Sequence, residues 1–171
     1  MNENIHRCLA ILKKEGHIMS SLFDPTLIEM KKTNIKATFS ISNYDDDFDP
    51  NIITSRLKIQ PTDLFVKGSL RPQIQPGQYR GIYNRNAWIL KTERKESIEI
   101  KNQLLELVNV LKAKKEILIE LKNTFDLEID FGIVIYILDG NTPASYLPKE
   151  IIRFMADLDA GIDFDIYVWE D

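Results

Sequence analysis

Hydrophobic and polar residues first alternate over residues 34–42, where Ile35, Ala37, Phe39 and Ile41 are separated by Lys36, Thr38 and Ser40. A period of two is that of a strand with one buried face. The same period returns in "LEIDFGIVIYIL", with Leu127, Ile129, Phe131, Ile133, Ile135 and Ile137 on one side. Its other side begins with Glu128 and Asp130 and turns apolar at Val134, Tyr136 and Leu138. That predicts a central strand whose second face is covered at one end. "IDFDIYVW" alternates again: Ile162, Phe164, Ile166 and Val168 are expected to face the core, and Asp163, Asp165, Tyr167 and Trp169 to face away. A further strand is expected at "AWILKT", residues 87–92.

Between these runs the period lengthens to that of helices. Asp49 is a candidate N-cap with Pro50 at the first helical position, and Phe48 and Ile53 stand at the two ends of a hydrophobic staple. Ile52, Ile53 and Leu57 supply the buried stripe, and Pro61 stops the helix. Ile100, Leu104, Leu107, Val108 and Leu111 mark a second helix. Ile117, Leu118 and Leu121 mark a third, and with no glycine or proline between the two, a single kinked helix is an alternative. Ile151, Phe154, Met155 and Leu158 mark the last, with Gly161 as its expected end.

Residues 60–86 hold Pro61, Gly68, Pro72, Pro76, Gly77 and Gly81 and predict a long irregular connection, with a short strand around 79–83. Within it, Leu64, Phe65 and Val66 are expected to re-enter the core, and Gly68 to permit the turn that follows. Residues 1–32 are expected to be a partly helical appendage, in which Ile5, Cys8, Leu9 and Leu12 keep helical spacing until Gly16. Residues 33–171 are expected to form one α+β domain: a single, mainly four-stranded sheet with helices packed on one face, ferredoxin-like or a related sandwich. Helical connections between strands leave room for some parallel pairing.

Composition narrows the classes. No apolar run approaches the roughly 20 residues of a membrane span. Cys8 is the only cysteine, so no internal disulfide forms, which suits a reducing cytoplasm. The net charge of -4 is unevenly spread. Lys67, Arg71, Arg80, Arg85, Lys91, Arg94 and Lys95 face only Glu93 within residues 67–95, whereas residues 139–171 carry eight carboxylates against Lys149 and Arg153. Either the two segments neutralise one another, or they form separate surfaces of opposite sign.

Few motifs carry chemistry. Asp45, Asp47 and Asp49 have the opening spacing of a calcium loop, but Pro50 stands where the glycine belongs and Arg56 where the bidentate glutamate belongs. His6 and His17 both lie in the appendage, so no histidine-dependent catalytic triad is expected in the domain, and one cysteine cannot make a zinc site. "PGQYRG" lacks the glycine spacing of a phosphate cradle. Neither metal nor cofactor is expected. Asp163 and Asp165 share a strand face and are the one carboxylate pair an enzyme would use; nothing in the sequence tunes either one. The same two aspartates with Tyr167 and Trp169 better suit a cationic protein partner, since aromatics anchor interfaces and carboxylates repel phosphate. The alternative is nucleic-acid binding by the basic loop 67–95, through Lys67, Arg71, Arg80 and Arg85.

"FDPNIITSRLKIQPTDLFVKG", then "AWILKT", then a closing helix followed by "GIDFDIYVW", resembles the bacterial domain-of-unknown-function family 4279 over Ile35 to Trp169. Lys58 departs from the pattern by standing where the resemblance leads one to expect a glycine. The resemblance implies a fold more than an activity. By analogy, small acidic single-domain proteins of this kind resemble the immunity partners of bacterial toxins. The expectation is therefore a non-enzymatic, cytoplasmic binding domain that neutralises a basic toxin.

Overall fold

The computed structural model describes residues 32–45, 48–72 and 81–169. Those residues form, in order, β1 (Asn34–Asn43), α1 (Asn51–Leu57), β2 (Asp63–Phe65), β3 (Asn86–Lys91), β4 (Lys95–Glu96), α2 (Ile100–Leu111), α3 (Lys115–Phe125), β5 (Glu128–Leu138), α4 (Lys149–Asp157) and β6 (Gly161–Trp169). A 3-10 turn, Lys112–Lys114, joins α2 to α3, so the second and third helices run on through a tightened turn. The appendage expected at residues 1–32 lies outside the described residues except for Lys32.

One six-stranded sheet organises the domain, in the order β2-β3-β1-β5-β6, with β4 also paired to β1. β1 runs antiparallel to β3, β4 and β5, whereas β5 and β6 are parallel and joined through α4. The α+β class and the single sheet with helices on one face agree with the sequence. The expected count of four does not: β2 and β4 add two strands of three and two residues. Strands that short do not complete the alternation that reveals a half-buried strand. β2 therefore occupies ground expected to be irregular, while Leu70 bridges Ile82 near the strand expected at 79–83.

The core lies between the sheet and the helix layer. Phe39 of β1 sits at its centre, with Trp88 edge-on at 6.4 Å and Phe131 at 5.1 Å. Ile35, Ala37 and Ile41 of β1 and Ile129 to Ile137 at alternate positions of β5 share this face and are buried with Leu104, Leu107, Leu111, Leu118, Leu121, Ile151 and Phe154. Trp88 Nε1 donates to Thr54 Oγ1 at 3.0 Å, tying α1 to β3.

Several chain reversals are fixed by residues in the left-handed region. Lys58 (φ 56) ends α1 at the position where the resemblance leads one to expect glycine. Asp126 ends α3, and Asp159 (φ 47) ends the last helix. Aspartate tolerates this conformation better than most residues with a Cβ. The last helix thus stops at Asp157, four residues before Gly161, which instead opens β6. At the start of α1, Pro50 stands at the N-cap, one residue after the expected Asp49, and Asp49 Oδ1 accepts from the Asn51 backbone N–H at 2.9 Å.

Candidate functional site

The sheet face away from the helices is built by parity. Across β5 and β6, Gly132 pairs with Asp163, Val134 with Asp165, Tyr136 with Tyr167 and Leu138 with Trp169. β1 continues the surface with Ser40 beside Asp130, Thr38 beside Gly132 and Lys36 beside Val134. The four residues expected to face away from the core are therefore on one face.

Two glycines keep the middle of this face low. A Cβ on Gly132 would lie 2.6 Å from Thr38 Oγ1, and one on Gly161 would lie 2.5 Å from Asp130 Oδ1. Either contact is too close for an unmoved neighbour, so small residues here let Thr38 and Asp130 lie across the adjoining strand. Thr38 and Ser40 hydroxyls donate to the Gly132 and Asp130 carbonyls at 3.4 and 3.5 Å.

One end of the face is aromatic. Tyr136 is 3% exposed and stacks on Tyr167 at 5.0 Å, with Trp169 at 6.5 Å. The Arg94 guanidinium lies 4.3 Å from the Tyr136 ring centroid and donates to Asn34 Oδ1 at 2.9 Å. Burial, helped by the nearby Asp165 carboxylate and the Tyr136 phenol, raises the Tyr167 hydroxyl above its ordinary range. Tyr136 and Arg94 were not among the expected site residues. Parity alone puts Tyr136 on this face, but only the adjacency of β5 and β6 brings it to Tyr167. Asp163 and Asp165 are both exposed, and Asp163 Oδ1 accepts from the Phe164 N–H at 2.9 Å.

The opposite side of β6 corrects the sequence reading. Ile162, Phe164, Ile166 and Val168 point to the helix side, in register with Phe131, Ile133, Ile135 and Ile137. They are nevertheless 37, 38, 55 and 61% exposed, whereas their β5 partners are buried. β6 is the last strand in the sheet order, and the helices pack over the strands inside it. Periodicity reported the two faces of the strand correctly, but not how far the helix layer extends.

The basic segment lies at the other edge of the sheet, around β2 and β3. Lys67 Nζ donates to the Tyr44 carbonyl at 2.5 Å, and Arg71 Nε donates to the Ile82 carbonyl at 3.2 Å. The Arg71 guanidinium lies 5.3 Å from the Tyr83 ring, which stacks at 4.2 Å on Phe65. Phe65 therefore meets Tyr83 rather than the core, and Val66 is exposed. Arg85 is half-buried, and Arg80 lies outside the described residues. Lys91 pairs with Asp63, also at this edge. In the acidic segment, Asp157 and Asp159 pair with Lys115 and Lys122. Sheet order thus separates the two segments, the basic one around β2–β3 and the acidic one around β6, and Arg94 is the cation that reaches the aromatic end.

Among the described residues no group of three or more His, Cys, Asp and Glu side chains is placed to hold a metal ion. Asp47, His6, His17 and Cys8 lie outside them. No helix among the described residues is long and apolar enough to cross a membrane. No curated protein and no solved structure matches the chain. Residues 33–169, from the entry to β1 through the end of β6, match the model of the family described as Domain of unknown function (DUF4279), and the chain belongs to that family.

Proposed function

We propose that the protein is a non-enzymatic, cytoplasmic binding domain whose acidic edge captures a basic protein, with neutralisation of a basic bacterial toxin as the concrete form. The observation that carries this reading is the juxtaposition on β6: two exposed carboxylates, Asp163 and Asp165, in line with Tyr167 and Trp169, which are fixed against Tyr136. Aromatics held before binding lose little freedom on contact, and nearby carboxylates steer a cationic partner and oppose an anionic one.

Nucleic-acid binding at the basic loop finds less support, because Tyr83 is stacked between Phe65 and the Arg71 guanidinium rather than presenting an open ring. The proposal is tested by co-purifying the full chain with a basic partner and measuring the complex by calorimetry. Asp163→Lys combined with Trp169→Ala is expected to weaken binding at least about tenfold, by loss of both an interface anchor and a steering charge. Unchanged affinity would show that the partner uses another surface.

A further inference from the structure

β6 offers more than a charged patch. It is nine residues long, and among the described residues it pairs with β5 alone. Among the described residues no strand covers its outer edge, so backbone groups there are open to pairing, although the Phe164 N–H already donates to Asp163 Oδ1 at 2.9 Å. Its two faces differ sharply: Asp163 and Asp165 on the open face, and the exposed row Ile162, Phe164, Ile166 and Val168 on the helix side. Soluble proteins ordinarily blunt such an edge with charged side chains, lysine above all, or with proline or a bulge. Here the nine residues hold neither proline nor lysine, and their charges are Asp163 and Asp165, which oppose an acidic strand and favour a cationic one.

We infer that β6 binds its partner by strand addition, taking an extended segment in which cationic and apolar residues alternate. This rests on the reading of the acidic edge as the partner surface and adds the mode of binding. A strand laid outside β6 projects alternate side chains to the two faces of the sheet. Cross-strand neighbours meet at roughly 4.5–5.5 Å, close enough for a lysine or arginine to pair with Asp163 or Asp165. The intervening apolar residues then extend the row formed by Phe164 and Ile166 and cover it from water. Charge argues against a second copy of this chain. Antiparallel pairing centred on Asp165 would set the two Asp165 carboxylates opposite one another with both Asp163 carboxylates nearby, an arrangement that destabilises a sheet. The occupant that matches both faces is a cationic, amphipathic strand.

Three peptides of equal length test this on the full chain: alternating lysine and valine, the same composition with the lysines grouped, and glutamate in place of lysine. The alternating peptide is expected to bind at least about tenfold more tightly than the grouped one, since only alternation serves both faces. It should lose that affinity on Asp163→Lys with Asp165→Lys, and it should slow exchange of those alternate amides within Ile162–Val168 that do not donate to β5. If alternating and grouped peptides bind equally and both are lost on charge reversal, strand addition is wrong while the acidic edge stands as the partner surface. If neither lysine peptide binds, or the glutamate peptide binds as well, the acidic edge fails too. If the outward-facing amides within Ile162–Val168 already exchange as slowly in the free chain as those of β5, the edge is occupied beforehand and the inference is overturned. Sedimentation would then tell a second copy from the chain's own residues.

Discussion

Ile135 and Ile166 make a matched pair for measuring what covers β6. They are register partners on adjacent strands and point to the same side of the sheet. Ile135 is 1% exposed and Ile166 is 55% exposed. Truncating a fully buried isoleucine to alanine costs about 2–5 kcal/mol, because a cavity is added to the lost transfer energy. Full burial of such a side chain is worth about 1.5–3 kcal/mol, so the 45% that Ile166 buries corresponds to about 0.7–1.4 kcal/mol. Water fills the space left at Ile166, so no cavity cost is added there. Both positions lie in strands, and the difference in strand propensity between isoleucine and alanine largely cancels in the comparison. Urea denaturation of the two alanine variants is therefore expected to show Ile135→Ala as the costlier by about 0.6–4 kcal/mol, with similar slopes. Equal losses would refute the reasoning, since they would mean that Ile166 is covered in the free protein.

Four further outcomes follow from particular contacts. Lys58→Gly relieves a left-handed residue at the end of α1 and should raise stability by about 0.5–1 kcal/mol, net of glycine's greater unfolded-state entropy, measured by thermal or urea unfolding. Gly132→Ala should destabilise by about 1–3 kcal/mol through its clash with Thr38, and adding Thr38→Ala should recover much of that in the same assay. A double-mutant cycle of Trp88→Phe and Thr54→Val should give a coupling of about 0.5–1.5 kcal/mol for their hydrogen bond; no coupling would mean that the contact does not pin α1. The hydrogen bonds from Arg56 to Glu120 and from Lys122 to Asp159 hold both carboxyls below their ordinary values. Groups lowered on folding stabilise the protein above their unfolded values of 4.5 and 3.8 and lose that effect as pH falls through the depressed values. The melting temperature should therefore fall as pH drops from about 5 to about 3, and fall less in Glu120→Gln with Asp159→Asn.

β1, β5 and the helices were legible because each buries one stripe through several repeats of its period, and β6 from its alternation alone, since its helix-side row stays exposed. Ile35 to Ile41 and Ile129 to Ile137 repeat often enough to show both element and face. β2 and β4 were not legible, since they are held by pairing with β3 and β1 rather than by a buried stripe of their own. Lys58 shows the reverse case: a single departure from an expected glycine marked a position whose backbone is left-handed. At the candidate site, parity alone grouped Asp163, Asp165, Tyr167 and Trp169, because a strand's faces are set by its own sequence. Arg94 over Tyr136 was hidden, because it depends on which strands are neighbours.

The misreading of β6 is itself informative. Its alternation is as clean as that of β1, yet β1 lies in the middle of the sheet and β6 at its rim. Burial on folding explains the isoleucines of β1, whose exposures are 0 and 1%. It explains much less of Ile166 and Val168, which keep more than half their surface in contact with solvent. A β-branched residue favours a strand wherever it lies, but threonine would meet that preference on an exposed edge without apolar cost. Four large apolar side chains in succession on the uncovered side of an edge strand are thus more than this fold requires. The strand addition proposed above would bury the row while leaving Asp163 and Asp165 to meet cations on the other face, and would account for both halves of the alternation at once.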